Sequence, residues 1–144
     1  MKLTPHLVID GAAAAIDFYK RVFDAHEVDR YTDKKLDRIV YALIKIGDSE
    51  VSLSDQHRDA KNDGPIALGG SPVHLTLQVA DAHAVGARLV AAGATVVYPI
   101  EDHFYGDRQG RLRDPFGHVW VITQRIKEMS PAEIQQGVDE YPHD

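Results

Sequence analysis

The sequence predicts an α+β fold built from two pseudo-symmetric β-α-β-β-β modules. Three observations predict it: an internal repeat, matching strand and helix periodicities in both halves, and a single polar, Gly- and Pro-containing stretch between them. Sliding the chain against itself by 70 positions lays residues 4–9 on 74–79, with Leu7 on Leu77 and Ile9 on Val79. By 69 positions, GDSEVSLS at 47–54 falls on FGHVWVIT at 116–123.

Taken in order, residues 4–9 alternate as a strand, and residues 12–23 place Ala12, Ile16, Tyr19 and Phe23 on one helical stripe. Residues 26–31, 39–46 and 47–54 then read as three strands, the last entered through the turn at Gly47. A surface linker of Asp, Asn, Gly and Pro at 56–71 joins module 1–55 to module 72–124. The second module repeats the plan: a strand at 74–79, then a helix at 82–92 carrying Val85, Leu89 and Ala92 on one stripe, with Asp81 as N-cap and Gly93 just past its end. Strands follow at 95–100, a short 110–114, and 116–123. Beyond the domain at 1–124 lies a tail, 125–144. There Ser130, Pro131 and Glu133 form a capping-box signature for a short C-terminal helix ending near residue 138.

One helix covers one face of its sheet, so each module leaves the other face open, and paired modules enclose a cleft where function should reside. Composition narrows the function. The 144 residues suffice for one core. No cysteine is present, which excludes disulfides, thiolate ligands and Cys nucleophiles. The net charge of −6, with basic residues scattered singly, argues against a nucleic-acid partner. No run is apolar for long enough to serve as a signal peptide or membrane span, so the expectation is a cytoplasmic protein with no membrane partner.

The motifs Ile16-Asp17-Phe18-Tyr19, Tyr105-Gly106-Asp107-Arg108 and Asp114-Pro115-Phe116-Gly117-His118-Val119-Trp120, set in this duplicated frame, resemble the glyoxalase, bleomycin-resistance and extradiol-dioxygenase superfamily, the vicinal oxygen chelate proteins. Within it the chain looks most like the PhnB-like branch. The resemblance covers nearly all of residues 1–124 and implies the glyoxalase/bleomycin-resistance fold, a cleft completed by module pairing, and a homodimer. It also implies one metal ligand from the first and last strand of each half in the metalloenzymes of the family. Carried onto this chain, those positions are Thr4, Ser52, His74 and Val121. Only His74 is a credible ligand, since divalent metals held by nitrogen and oxygen need three or four converging donors. A displaced set, His6, Glu50 and His74, is the alternative, because residues two apart on a strand share a face.

Other catalytic templates fail. Ser52 and Ser54 have no nucleophile-elbow pattern around them, and Gly69-Gly70-Ser71 is too short for a phosphate cradle. Asp114 and Gly117 read as turn builders, and Trp120 either lines the cleft or packs between sheet and helix. The expected ligand-binding residues are Thr4, Ser52, His74 and Val121 on the strands, with Phe104 and Tyr105 closing from a loop, Arg108 as an anion contact, and Tyr41 and Tyr98 behind them. Three functions follow. The first is a small-molecule binding protein of the antibiotic-resistance type, needing no cofactor and holding a ligand with planar or apolar parts. The second is a lyase, isomerase or dioxygenase using a divalent metal, and the third a non-catalytic structural or regulatory subunit.

Overall fold

Alternating apolar residues and a central helix build each half, as the computed structural model shows for residues 1–142. The first half runs β1 (His6–Ile9), α1 (Ala12–Phe23), β2 (His26–Asp33), β3 (Arg38–Ile46) and β4 (Ser49–Asp55). A 3-10 turn at Arg58–Ala60 and a one-turn helix, α2 (Pro65–Leu68), follow. The second half runs β5 (His74–Gln78), α3 (Ala82–Ala91), β6 (Thr95–Asp102), β7 (Asp107–Arg113) and β8 (Val119–Arg125), before the C-terminal α4 (Pro131–Glu140). The two four-stranded sheets have the same order, β1-β4-β3-β2 and β5-β8-β7-β6. Within each, the first and last strands pair parallel and the other neighbours antiparallel.

Caps explain where the helices begin. Asp81 accepts from Ala84 N at 3.1 Å, as its position predicts. α1 starts after Gly11 with no cap from its own N-cap residue. Instead Asp55, at the end of β4, accepts from Ala12 N at 2.7 Å and Ile39 N at 2.8 Å, tying helix, β3 and β4 together. Ser130 and Glu133 form both bonds of the predicted capping box on α4.

One core contains both long helices and the inner faces of both sheets. The α1 stripe is wider than predicted: Ala15, Phe18 and Val22 are buried besides Ala12, Ile16, Tyr19 and Phe23, because the helix also touches the second module. Tyr19 and Phe23 lie 5.4 and 4.7 Å, centroid to centroid, from Trp120 of β8. Trp120 is therefore an inner-face core residue and not a cleft wall. With this shared core on one side of each sheet, the opposite faces stay open.

Several boundaries differ from the sequence reading. β1 begins at His6, which leaves Thr4 ahead of the strand. β7 begins at Asp107, three residues earlier than expected, because pairing with β6 and β8 holds it extended despite its single apolar residue, Leu112. The linker is partly structured and buries Pro65. α4 runs two residues further than expected, and the end of the tail, residues 143–144, lies outside the described residues. Among the described residues no helix is long and apolar enough to cross a membrane.

Candidate functional site

The orientation of β8 is fixed by Asp114, which is 3 % exposed. One carboxylate oxygen accepts from Phe116 N and His118 N at 2.9 and 3.0 Å, closing the Asp-Pro-Phe-Gly turn with Gly117 at φ +92°. The other accepts from Tyr19 Oη at 2.5 Å and Trp120 Nε1 at 2.9 Å. Burial and this neighbouring carboxylate raise the Tyr19 hydroxyl well above its ordinary value, so it stays a donor. His118, on the inner side with Trp120, makes a 3.0 Å Nε2 hydrogen bond to Val8 O and so joins the modules. With β8 anchored on that side, Val119, Val121 and Thr123 fall on the open face.

On the first sheet the open face is organised by His6. Register places Ser52 beside His6 and Ser54 beside Val8. The imidazole bridges the serines, with Nδ1 2.8 Å from Ser52 Oγ and Nε2 3.0 Å from Ser54 Oγ. A neutral ring satisfies both contacts by donating to one hydroxyl and accepting from the other. Tyr41 stacks on His6 at 6.4 Å, and Tyr31, its cross-strand partner, stacks on Tyr41 at 6.1 Å. Burial lowers the His6 pKa from its usual value. Its charged form is thus disfavoured in the folded chain, and the associated stability is complete above the unfolded value of about 6.5 and declines as pH falls through it. In urea unfolding, stability should fall between about pH 7 and pH 5, with a shallower slope for His6→Phe. An unchanged slope would refute this.

On the second sheet, β7 and β6 complete the face. Arg111 lies opposite both Val121 and Tyr98, and Gln109 lies opposite Thr123. Tyr105 stacks on His103 at 5.1 Å with their planes 6° apart, and Gln109 Nε2 donates to Tyr105 Oη at 3.1 Å. Burial, with Asp107's charge, raises the Tyr105 hydroxyl above its ordinary pKa. Tyr98, His103, Tyr105, Gln109, Arg111 and Val121 surround a hollow of about 150 Å³. A larger groove of about 610 Å³ runs between the two halves, past Phe23, Asp48, Thr76 and Arg88.

The predicted site residues separate onto different surfaces. Ser52 belongs to the first open face, and His74, Val121 and Tyr105 to the second. No hydrogen bond, ion pair or ring contact between described residues joins one open face to the other. Arg108 is on the wrong side for the expected role: it pairs across the ladder with Gln124, whose side chain reaches Ala82 N on the helix side. There its guanidinium holds Asp102 at 2.7 Å and keeps that carboxyl below its ordinary pKa. Phe104 turns to the C-terminal helix, against Gly137 and Tyr141. Arg111, Gln109 and His103 occupy the face expected of Arg108 and Phe104. Counting parity back from Val121 along an antiparallel neighbour would have found the first two.

The four positions implied by the family supply one imidazole, two hydroxyls and an isopropyl group, a set that does not fit a divalent metal. The displaced set is dispersed within the chain. His6 is engaged by two serines, Glu50 by Lys2, and His74 is on the other sheet. Among the described residues no three His, Asp or Glu side chains are grouped to hold a metal ion.

Comparisons with known proteins agree with this architecture. Residues 4–122 match the family described as the Glyoxalase/Bleomycin resistance protein/Dioxygenase superfamily. The uncharacterized protein Mb0911c of Mycobacterium bovis is 43% identical over 136 residues, covering 92% of this chain and 89% of that one. Among solved structures, a Bacillus cereus PhnB protein, described as a putative 3-demethylubiquinone-9 3-methyltransferase, superposes with a TM-score of 0.69 at 19% identity, covering 86% of this chain and 99% of its own. The fosfomycin resistance protein FosX of Mesorhizobium loti gives 0.64 at 17%, covering 94% and 97%. At these identities the two structures share the fold.

Proposed function

The chain belongs to the glyoxalase/bleomycin resistance protein/dioxygenase superfamily, and on that premise we propose that it is a metal-free small-molecule binding protein that sequesters its ligand in an aromatic-lined cleft. The observation that carries this reading is Val121: the last strand of the second half offers a buried apolar side chain where a metal site needs a donor. Around it the open faces present stacked Tyr41 and His6 on one sheet and stacked Tyr105 and His103 on the other, large flat surfaces suited to a planar or partly apolar ligand.

The cleft is completed in a homodimer, the first sheet of one copy facing the second sheet of the other. Two observations support this: each sheet keeps a face outside the shared core, and β1 and β5 are both free-edged strands. Light scattering at micromolar concentration should give twice the chain mass, and a monomer would contradict the paired cleft. A ligand-induced thermal-shift screen tests the binding function. A stabilising compound should bind less well to His74→Leu, by about 0.5–1.5 kcal/mol for a neutral hydrogen bond, and less well again to Tyr105→Ala. Indifference to both substitutions would place the site elsewhere.

A further inference from the structure

We propose that the hollow on the open face of the second sheet binds the carboxylate of a single-ring organic acid, with Arg111 as its charged contact. This rests on the open faces being the ligand site and adds the ligand's charge and size. Arg111 stands between Val121 and Tyr98 on the ladder, and its guanidinium carbon lies 5.0 Å from the Tyr98 ring centroid. Its Nε is buried with no hydrogen-bond partner, and among the described residues it makes no ion pair. The carboxylates on the same face leave it unneutralised: Asp107 is held by Arg125 at 2.6 Å, and Glu101, opposite Gln109, forms no ion pair with it. Thr123, beside Gln109 and 5 % exposed, has a buried hydroxyl that also lacks a partner.

Buried polar groups in folded proteins are nearly always bonded, and an unsatisfied charged donor is the costliest exception. Arg111 lines the hollow, and its unpaired Nε marks where an acceptor is missing; Thr123, one position beyond Val121 along the same strand face, adds a second unpartnered polar group. Arginine's planar fork fits a carboxylate with two parallel hydrogen bonds. The Tyr105 hydroxyl, accepting from Gln109, keeps its own proton to donate. The stacked Tyr105 and His103 rings form a flat wall and Val121 an apolar floor. A volume of about 150 Å³ admits one aromatic ring.

The test is an NMR titration of the ¹⁵N-labelled full chain with benzoate and, separately, with its neutral isostere benzamide. Benzoate should bind at least about tenfold more tightly, as expected for a charge-assisted hydrogen bond, and should shift the Arg111 Nε–H signal. Arg111→Gln should remove that preference, and Arg111→Lys, which keeps the charge without the fork, should retain part of it. Unchanged amide spectra outside β6, β7 and β8 establish that both variants fold. If benzamide binds as tightly as benzoate with the same shifts at Tyr105 and Val121, the anion inference is overturned and the cleft reading stands. If neither probe shifts these residues, both fall. A benzoate preference that survives in Arg111→Gln overturns the role of Arg111.

Discussion

Asp114→Ala should lower stability by about 4 kcal/mol, the largest effect expected of any single substitution here. The carboxylate is buried and accepts from four donors, Tyr19 Oη, Trp120 Nε1 and the amides of Phe116 and His118. Alanine leaves all four without an acceptor inside the core, where each unsatisfied group costs on the order of 1–3 kcal/mol, reduced by whatever water the vacated space admits. For a chain of this size that corresponds to a drop in Tm of about 12 °C. Asp114→Asn keeps the shape and one carbonyl oxygen but turns an NH₂ toward Trp120 or the turn amides, so it should lose about half as much. Thermal and urea unfolding measure both. A loss below about 1 kcal/mol for Asp114→Ala would mean that the turn and the α1–β8 contact hold without it.

Gly106→Ala should come second, at about 3 kcal/mol, and should act on the binding face as well as on stability. Gly106 sits at φ +93°, and a Cβ there would lie 2.2 Å from Lys127 O. That neighbour is backbone, fixed by the bonds that Ile126 N and Lys127 N donate to Gly106 O at 2.9 and 3.1 Å. Relieving the clash must move the loop that carries Tyr105, since Gly106 N also closes a turn onto His103 O. The variant should therefore unfold at lower urea and also bind any cleft ligand more weakly than its loss of stability explains. Unfolding and binding equal to the parent chain would show that the loop has another way to accommodate Cβ.

The repeat carried much of this architecture because burial on a sheet leaves a period-two mark. Leu7 and Ile9, like Leu77 and Val79, could be aligned without any coordinates. Asp81, Ser130 and Asp114 were readable for a related reason: caps and turns draw their bonds from residues a few positions away. The second open face was not readable in the same manner. β7 has one apolar residue, so its sequence hides both where the strand starts and that pairing gives the open face to Arg111 and not to Arg108. The side of Phe104 is set by Gly137 and Tyr141, more than thirty residues on, which no local pattern shows. The arrangement of the modules also depends on distant contacts, those of Tyr19 and Phe23 with Trp120, which no local pattern encodes.

The claim that this cleft binds its ligand without a metal is tested most directly by elemental analysis of the protein purified without an affinity tag. The donor set of Thr4, Ser52, His74 and Val121 predicts that zinc, nickel, iron and manganese are each far below one ion per chain. One ion per chain, lost on His74→Ala, would contradict the account and point to lyase, isomerase or dioxygenase chemistry at a displaced ligand set.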